Sequence, residues 1–186
     1  EPYRRQRQMC IRDRFYGDVM FVYENGLMSG TSGTTFEPDT TTSRGMIVTV
    51  LYRLEGAPAV SGASGFTDVA DGQYYADAVA WAAANNIVGG YGNGLFGPND
   101  IITREQMAVI LYRYAQYKGY DTTAKADLSK YTDAAQVGSW AVEAIRWANA
   151  EGLVNGTSNT TLTPKGSATR AQVAMILMRF CENIAE

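Results

Sequence analysis

Apolar residues recur along the chain at helical spacing, in paired segments separated by polar, glycine-rich stretches. Ile47, Val50, Leu51 and Leu54 fall at i, i+3, i+4 and i+7, the stripe of one helix face. Met107, Ile110, Leu111 and Tyr114 repeat that stripe, and Val173, Ile176, Leu177 and Phe180 repeat it again. The pattern predicts helices over 46–55, 103–117 and 169–184. A shorter helix is predicted ahead of each. In 15–26, Val19 and Val22 or Tyr23 face inward. In 74–86, Tyr75, Val79 and Ala82 lie at i, i+4 and i+7, and in 139–152 Trp140, Ala144 and Trp147 do the same.

The polar segment inside each pair is one twenty-residue stretch spelled three times without gaps: Asn25 to Arg44, Asn85 to Arg104 and Glu151 to Arg170. Each copy has a glycine fourteen residues before the arginine (Gly30, Gly90, Gly156). Each has a large apolar residue eight before it (Phe36, Phe96, Leu162) and a proline six before it (Pro38, Pro98, Pro164). The arginines lie 60 and 66 residues apart. Repeats of this length are the units of the fold. Units two and three also carry a preface, Phe66-Thr67-Asp68-Val69 and Tyr131-Thr132-Asp133-Ala134, which unit one lacks. In the loops, glycine is expected to supply φ > 0 and proline a tight corner.

The expected organisation is therefore all-α: three helix-loop-helix units over 15–56 (truncated at its front), 66–118 and 131–184. A unit of about 60 residues barely offsets its own chain entropy, so the units are expected to share a core. Three equivalent apolar stripes suggest a pseudo-threefold cluster. Stretches 56–65 and 119–130, rich in small and polar residues, read as connections. Residues 1–14 match nothing in the other units and are read as a foreign or disordered tail, the QMCIRDR core resembling a translated adapter remnant.

Charge and composition narrow the chemistry. The 186 residues have a formal net charge of −3, but 1–14 hold five arginines against Glu1 and Asp13. The remainder carries 11 basic against 17 acidic side chains (16 less 5, 19 less 2), a balance opposite to that of a nucleic-acid protein. No apolar run approaches the length of a membrane span. Cys10 and Cys181 have neither disulfide nor metal-ligand spacing, and no EF-hand spacing appears, so neither metal nor cofactor is expected. There is no histidine, which removes the commonest general base and the Ser-His and Cys-His pairs. A carboxylate glycosidase would need two acids flanking a cleft, and no such pair recurs from unit to unit.

Thr103-Arg-Glu-Gln106 and Thr169-Arg-Ala-Gln172 fit the S/T-x-x-E/Q capping box; unit one has Ser43 but Met46 in the glutamine position. The cap does not explain the arginine, which sits at the positive end of the helix dipole three times over. It could pair with Asp68, Asp133 or a loop carboxylate. Alternatively, it could join free helix N–H groups in binding a ligand anion. A second arginine follows nine residues later (Arg53, Arg113, Arg179), half a turn around the helix from the first. It is read as a surface residue or part of an inter-unit ion pair.

The combination of F-x-D-V, a Trp-bearing helix, G-(I/L)-(V/M)-x-G, (F/L)-x-P and T-R-x-(E/Q), clearest in 66–113, resembles the S-layer homology family over about 15–184. The resemblance implies a trimer-like pseudo-threefold fold with a central helical bundle. It implies a non-catalytic module that anchors exported bacterial proteins to the cell wall. Its partner would be secondary cell-wall polysaccharide carrying pyruvate ketals, with no nucleic acid and no membrane span. Carried over by position, the ligand contacts would be Arg44, Arg104 and Arg170, the loop glycines Gly30, Gly90 and Gly156, and Trp81 and Trp147, with Phe21 in their place in unit one. Cargo is expected upstream in a longer surface protein. The alternative is a self-assembling structural module of the surface layer.

Overall fold

The computed structural model describes residues 16–32 and 35–185. Among them are six α-helices: α1 (Tyr16–Glu24), α2 (Arg44–Leu54), α3 (Ala76–Ala84), α4 (Arg104–Lys118), α5 (Val142–Ala150) and α6 (Arg170–Asn183). The fold is all-α. The tail 1–14 lies outside the described residues. A short 3-10 helix, Ala134–Gln136, which periodicity did not predict, begins on the last residue of the preface of unit three.

The long helices begin as their caps dictate. The Thr103 and Thr169 hydroxyls accept from the N–H groups of Gln106 and Gln172, and both glutamines reach back to the cap N–H. Ser43 accepts from the Met46 N–H, and methionine has no group to return that bond, so this box is half formed. α4 ends on Gly119 in the left-handed conformation.

The helices do not pack as hairpins within a unit. The principal packings pair α1 with α6, α2 with α3 and α4 with α5, each joining the first helix of one unit to the second helix of another. The apolar stripes meet in one continuous core that includes Ile47, Leu51, Met107, Leu111, Val173 and Leu177. In the first-helix positions Tyr75, Val79, Ala82, Ala144 and Trp147 are buried as expected. Trp140 is not: it is 56% exposed, and Ala141 takes the buried place beside it.

At the centre the extended segments before the long helices bond to one another in a closed cycle. Thr42 N–H donates to the Ala168 carbonyl (3.1 Å), Ala168 to Ile102 (3.4 Å) and Ile102 to Thr42 (2.8 Å). Antiparallel bridges Thr41–Thr169, Ser43–Ile101 and Thr103–Ser167 flank it. Each unit is thereby tied to both others.

Candidate functional site

The three helix-start arginines carry out the same contact in cyclic order. Arg44 of unit one donates from Nε to the Phe96 carbonyl (2.9 Å) and from Nη2 to the Gly89 carbonyl (3.3 Å) of unit two. Arg104 of unit two donates to Leu162 (3.2 Å) and Asn155 of unit three. Arg170 of unit three returns to Phe36 (2.8 Å) and Ser29 of unit one. The helix-start N–H groups are also taken. Those of Arg44 and Gly45 donate to Asp100 and Pro98, those of Arg104 and Glu105 to Gly166 and Pro164, and those of Arg170 and Ala171 to Thr40 and Pro38.

The salt-bridge explanation of these arginines therefore needs correction, and so does the expectation that free helix-start N–H groups stand beside them. Among the described residues no ion pair engages them. The helix-start N–H groups are not free for a ligand either. Carbonyl oxygens of the neighbouring loop, the negative ends of peptide dipoles, meet the positive helix end instead. The guanidinium groups also rest on aromatic rings, Arg44 over Phe96 (4.7 Å) and Tyr91 (4.9 Å), and Arg170 over Phe36 (4.5 Å). Burial pushes the pKa of all three down; Tyr91, Asp100 and Asp68 partly offset this at Arg44, Tyr131 and Asp133 at Arg104, and Glu37 at Arg170.

The preface aspartates support the same loops. Asp68 accepts from the N–H groups of Phe96 (2.8 Å) and Gly97 (2.7 Å), and Asp133 from those of Leu162 (2.7 Å) and Thr163 (2.8 Å). Each carboxylate thus fixes the (F/L)-x-P corner whose carbonyl receives an arginine. The middle residue of that corner has φ > 0 in every unit: Glu37, Gly97 and Thr163. The recurrent Gly30, Gly90 and Gly156 do not. They are small because a Cβ at each would lie under 3.0 Å from a backbone carbonyl across the loop, and at Gly90 and Gly156 also from the Phe66 or Tyr131 ring. The positive φ expected of loop glycines is found instead at Gly26, Gly92, Gly94, Gly97 and Gly152, while these three glycines serve a close approach.

Two clefts open beside the clamps. One, of about 410 Å³, is lined by Arg44, the loop residues Gly89, Gly90 and Tyr91, Gln106 and Arg113 of α4, and Trp140 of unit three. The other, of about 550 Å³, repeats the arginine, loop and glutamine positions one unit further on, with Arg104, Asn155, Gly156 and Thr157, and Gln172 and Arg179 of α6. It has Asp18 of unit one and, among the described residues, no aromatic residue. Each cleft is assembled from all three units.

Of the residues predicted for the site, the structure brings Arg44 with Gly90, and Arg104 with Gly156, to the cleft walls. Arg170 makes the equivalent clamp onto unit one, whose loop holds Gly30. Trp81 and Trp147 belong elsewhere. Trp147 has no exposed surface and Trp81 is 5% exposed; their rings pack on Tyr112 and on Tyr52, Tyr114 and Tyr117. A ring buried on both faces cannot stack on a sugar, so these two are core residues. Phe21 packs against the same core.

The sequence reading missed Trp140, Tyr91, Gln106 and Arg113. Arg113 and Arg179 line clefts from which Arg104 and Arg170 of their own helices are absent. They share those clefts with the helix-start arginine of the preceding unit, and Arg53 and Arg179 donate to the Leu27 and Gly152 carbonyls rather than to acids. The signal was the repeat itself, since all three arginines recur in register.

Comparison with known proteins agrees with this unit structure. Residues 13–45, 65–108 and 130–174 match the S-layer homology domain model. The chain is 32% identical over 177 residues, 92% of its length, to an amylopullulanase of Thermoanaerobacterium thermosulfurigenes, of which it spans 9%. It is 30% identical over 169 residues, 89% of its length, to a surface-layer 125 kDa protein of Lysinibacillus sphaericus, spanning 14% of that protein. It is 34% identical over 98 residues, 52% of its length, to a cellulosome-anchoring protein of Acetivibrio thermocellus, spanning 21%. The relatives thus share a small part of much longer and functionally different chains.

Proposed function

The chain belongs to the S-layer homology family of bacterial cell-surface anchoring modules, and on that premise we propose that it holds a larger protein to the wall by binding an anionic polysaccharide. The ligand is a secondary cell-wall polysaccharide bearing ketal-linked pyruvate, and it sits in the clefts between units. Arg44 and Arg104 with Gly90 and Gly156 form two such sites, and Arg170 with Gly30 the third. The cyclic bonding supports a pseudo-threefold reading with one cleft at each junction.

The observation that carries the proposal is the repeated composition of the two clefts. Each offers two guanidinium groups, a loop segment centred on a recurrent glycine, and a side-chain amide from the capping box. Carboxylate recognition by guanidinium is bidentate and directional, and an exposed glycine loop lets a sugar ring approach the backbone. No side chain needs to do chemistry in such a site. The enzyme names among the relatives belong to chains of which this one matches a small share.

The test is co-sedimentation of the purified chain with bacterial cell-wall sacculi, before and after mild acid removal of pyruvate. Retention on native sacculi and release after the treatment is the expected result. Equal retention on both would reject the pyruvate ketal as ligand, and absence of retention on either would reject wall binding.

A further inference from the structure

Three arginines recur nine residues into α2, α4 and α6, but they are not equally engaged. Arg53 Nη1 donates to the Leu27 carbonyl (3.4 Å) and Arg179 Nη1 to the Gly152 carbonyl (3.0 Å). Arg113, at the equivalent place in α4, is exposed and makes no hydrogen bond or ion pair among the described residues. It lines the cleft it shares with Arg44. Arg44 has already committed Nε and Nη2 to the Phe96 and Gly89 carbonyls and is only 6% exposed. The readily available guanidinium in this cleft is therefore that of Arg113, with a full fork of donors.

Nothing acidic opposes it: among the described residues that line this cleft, none is Asp or Glu. The same cleft is lined by Trp140, whose indole packs so closely over Gly138 that a Cβ there would collide with it. The Gly138 N–H is in turn held by the buried Glu105 carboxylate (2.9 Å), which also pairs with Lys165 (2.6 Å). An exposed ring held in place by its neighbours is a ready platform for the apolar face of a sugar. The cleft lining thus includes both a free cation and a fixed aromatic ring.

We infer that Arg113 is the residue that reads ligand charge in the cleft between units one and two, selecting a carboxylate-bearing saccharide over its neutral parent. This rests on the glycan-binding reading above. The helix-start Arg44 stays in the site as the cation that shapes its wall, and Arg113, nine residues into the next unit's helix, adds the fork that discriminates the ligand carboxylate. In the cleft between units two and three the equivalent Arg179 is partly spent on Gly152, so the two clefts differ in charge selectivity.

Isothermal titration of the full chain with a methyl hexoside carrying ketal-linked pyruvate, and with the same hexoside lacking it, tests the assignment. Arg113→Gln should weaken binding of the acidic glycoside about tenfold, the scale of one lost charge-assisted hydrogen bond. It should leave the neutral glycoside and the melting temperature unchanged, since Arg113 gives up no partner within the protein. Arg113→Lys should recover part of the loss, and Arg53→Gln should have no effect on this cleft. Equal affinity of wild type and Arg113→Gln for the acidic glycoside, or an equal loss for both glycosides, would overturn the role of Arg113 while leaving wall binding intact. Failure of the wild-type chain to bind both the acidic glycoside and native sacculi would overturn the glycan reading, and this inference with it.

Discussion

Arginine at the first position of a helix costs a few tenths of a kcal/mol to about 1 kcal/mol through the helix dipole. In this chain the cost is met three times by carbonyl oxygens of the next unit, one set accepting the helix-start N–H groups and another the guanidinium donors. The residue thus welds units together and, by doing so, defines the cleft beside it. Thr42 shows the opposite case. Its backbone closes the central cycle, but its hydroxyl is buried with no partner in the structure, where units two and three place Ile102 and Ala168. Thr42→Val keeps the shape and removes the unsatisfied oxygen, so it should raise stability by about 1 kcal/mol, read as a higher denaturation midpoint in urea. Unchanged or lower stability would show that the hydroxyl is satisfied in solution.

At the scale of elements, helix positions, capping boxes and apolar stripes were legible because each is written within a few residues. Gln106 and Gln172 bond as their spacing predicts, and Met46 fails to for the chemical reason visible in its side chain. The partners of the arginines were not legible. They lie 45 to 58 residues away for Arg44 and Arg104, and more than 130 for Arg170, on loops whose direction no local pattern encodes. Trp140 and Trp147 both fit a helical stripe, yet one is a surface ring and the other core; the helix itself starts at Val142, so Trp140 precedes it.

The corners carry a pH dependence. Burial pushes the Asp68 carboxyl up, but the Phe96 and Gly97 N–H donors outweigh it and its pKa falls below the ordinary value. The Leu162 and Thr163 N–H groups hold Asp133 down in the same way. A carboxyl with a depressed folded pKa contributes stability that is present above its unfolded value of about 3.9 and is lost as pH falls through the folded value. The melting temperature should therefore drop below about pH 4, and Asp68→Asn with Asp133→Asn should flatten that drop relative to wild type. An identical pH profile in the double variant would remove the corners from the explanation.

Across the whole molecule, the repeat indicated three units and one shared core but not how they join. The units interlock: each first helix packs on another unit's second helix, the arginine clamps run one to two to three to one, and each cleft draws residues from all three. Clefts drawn from three units exist only when the cycle is closed. The chain's three tryptophans make the claim measurable, because Trp140 borders a cleft while Trp81 and Trp147 lie in the core. Titration with pyruvylated wall polysaccharide, followed through the three indole N–H resonances by NMR, should move the Trp140 signal and leave the other two in place. A saturating titration that leaves Trp140 unmoved would contradict ligand binding in the cleft between units one and two.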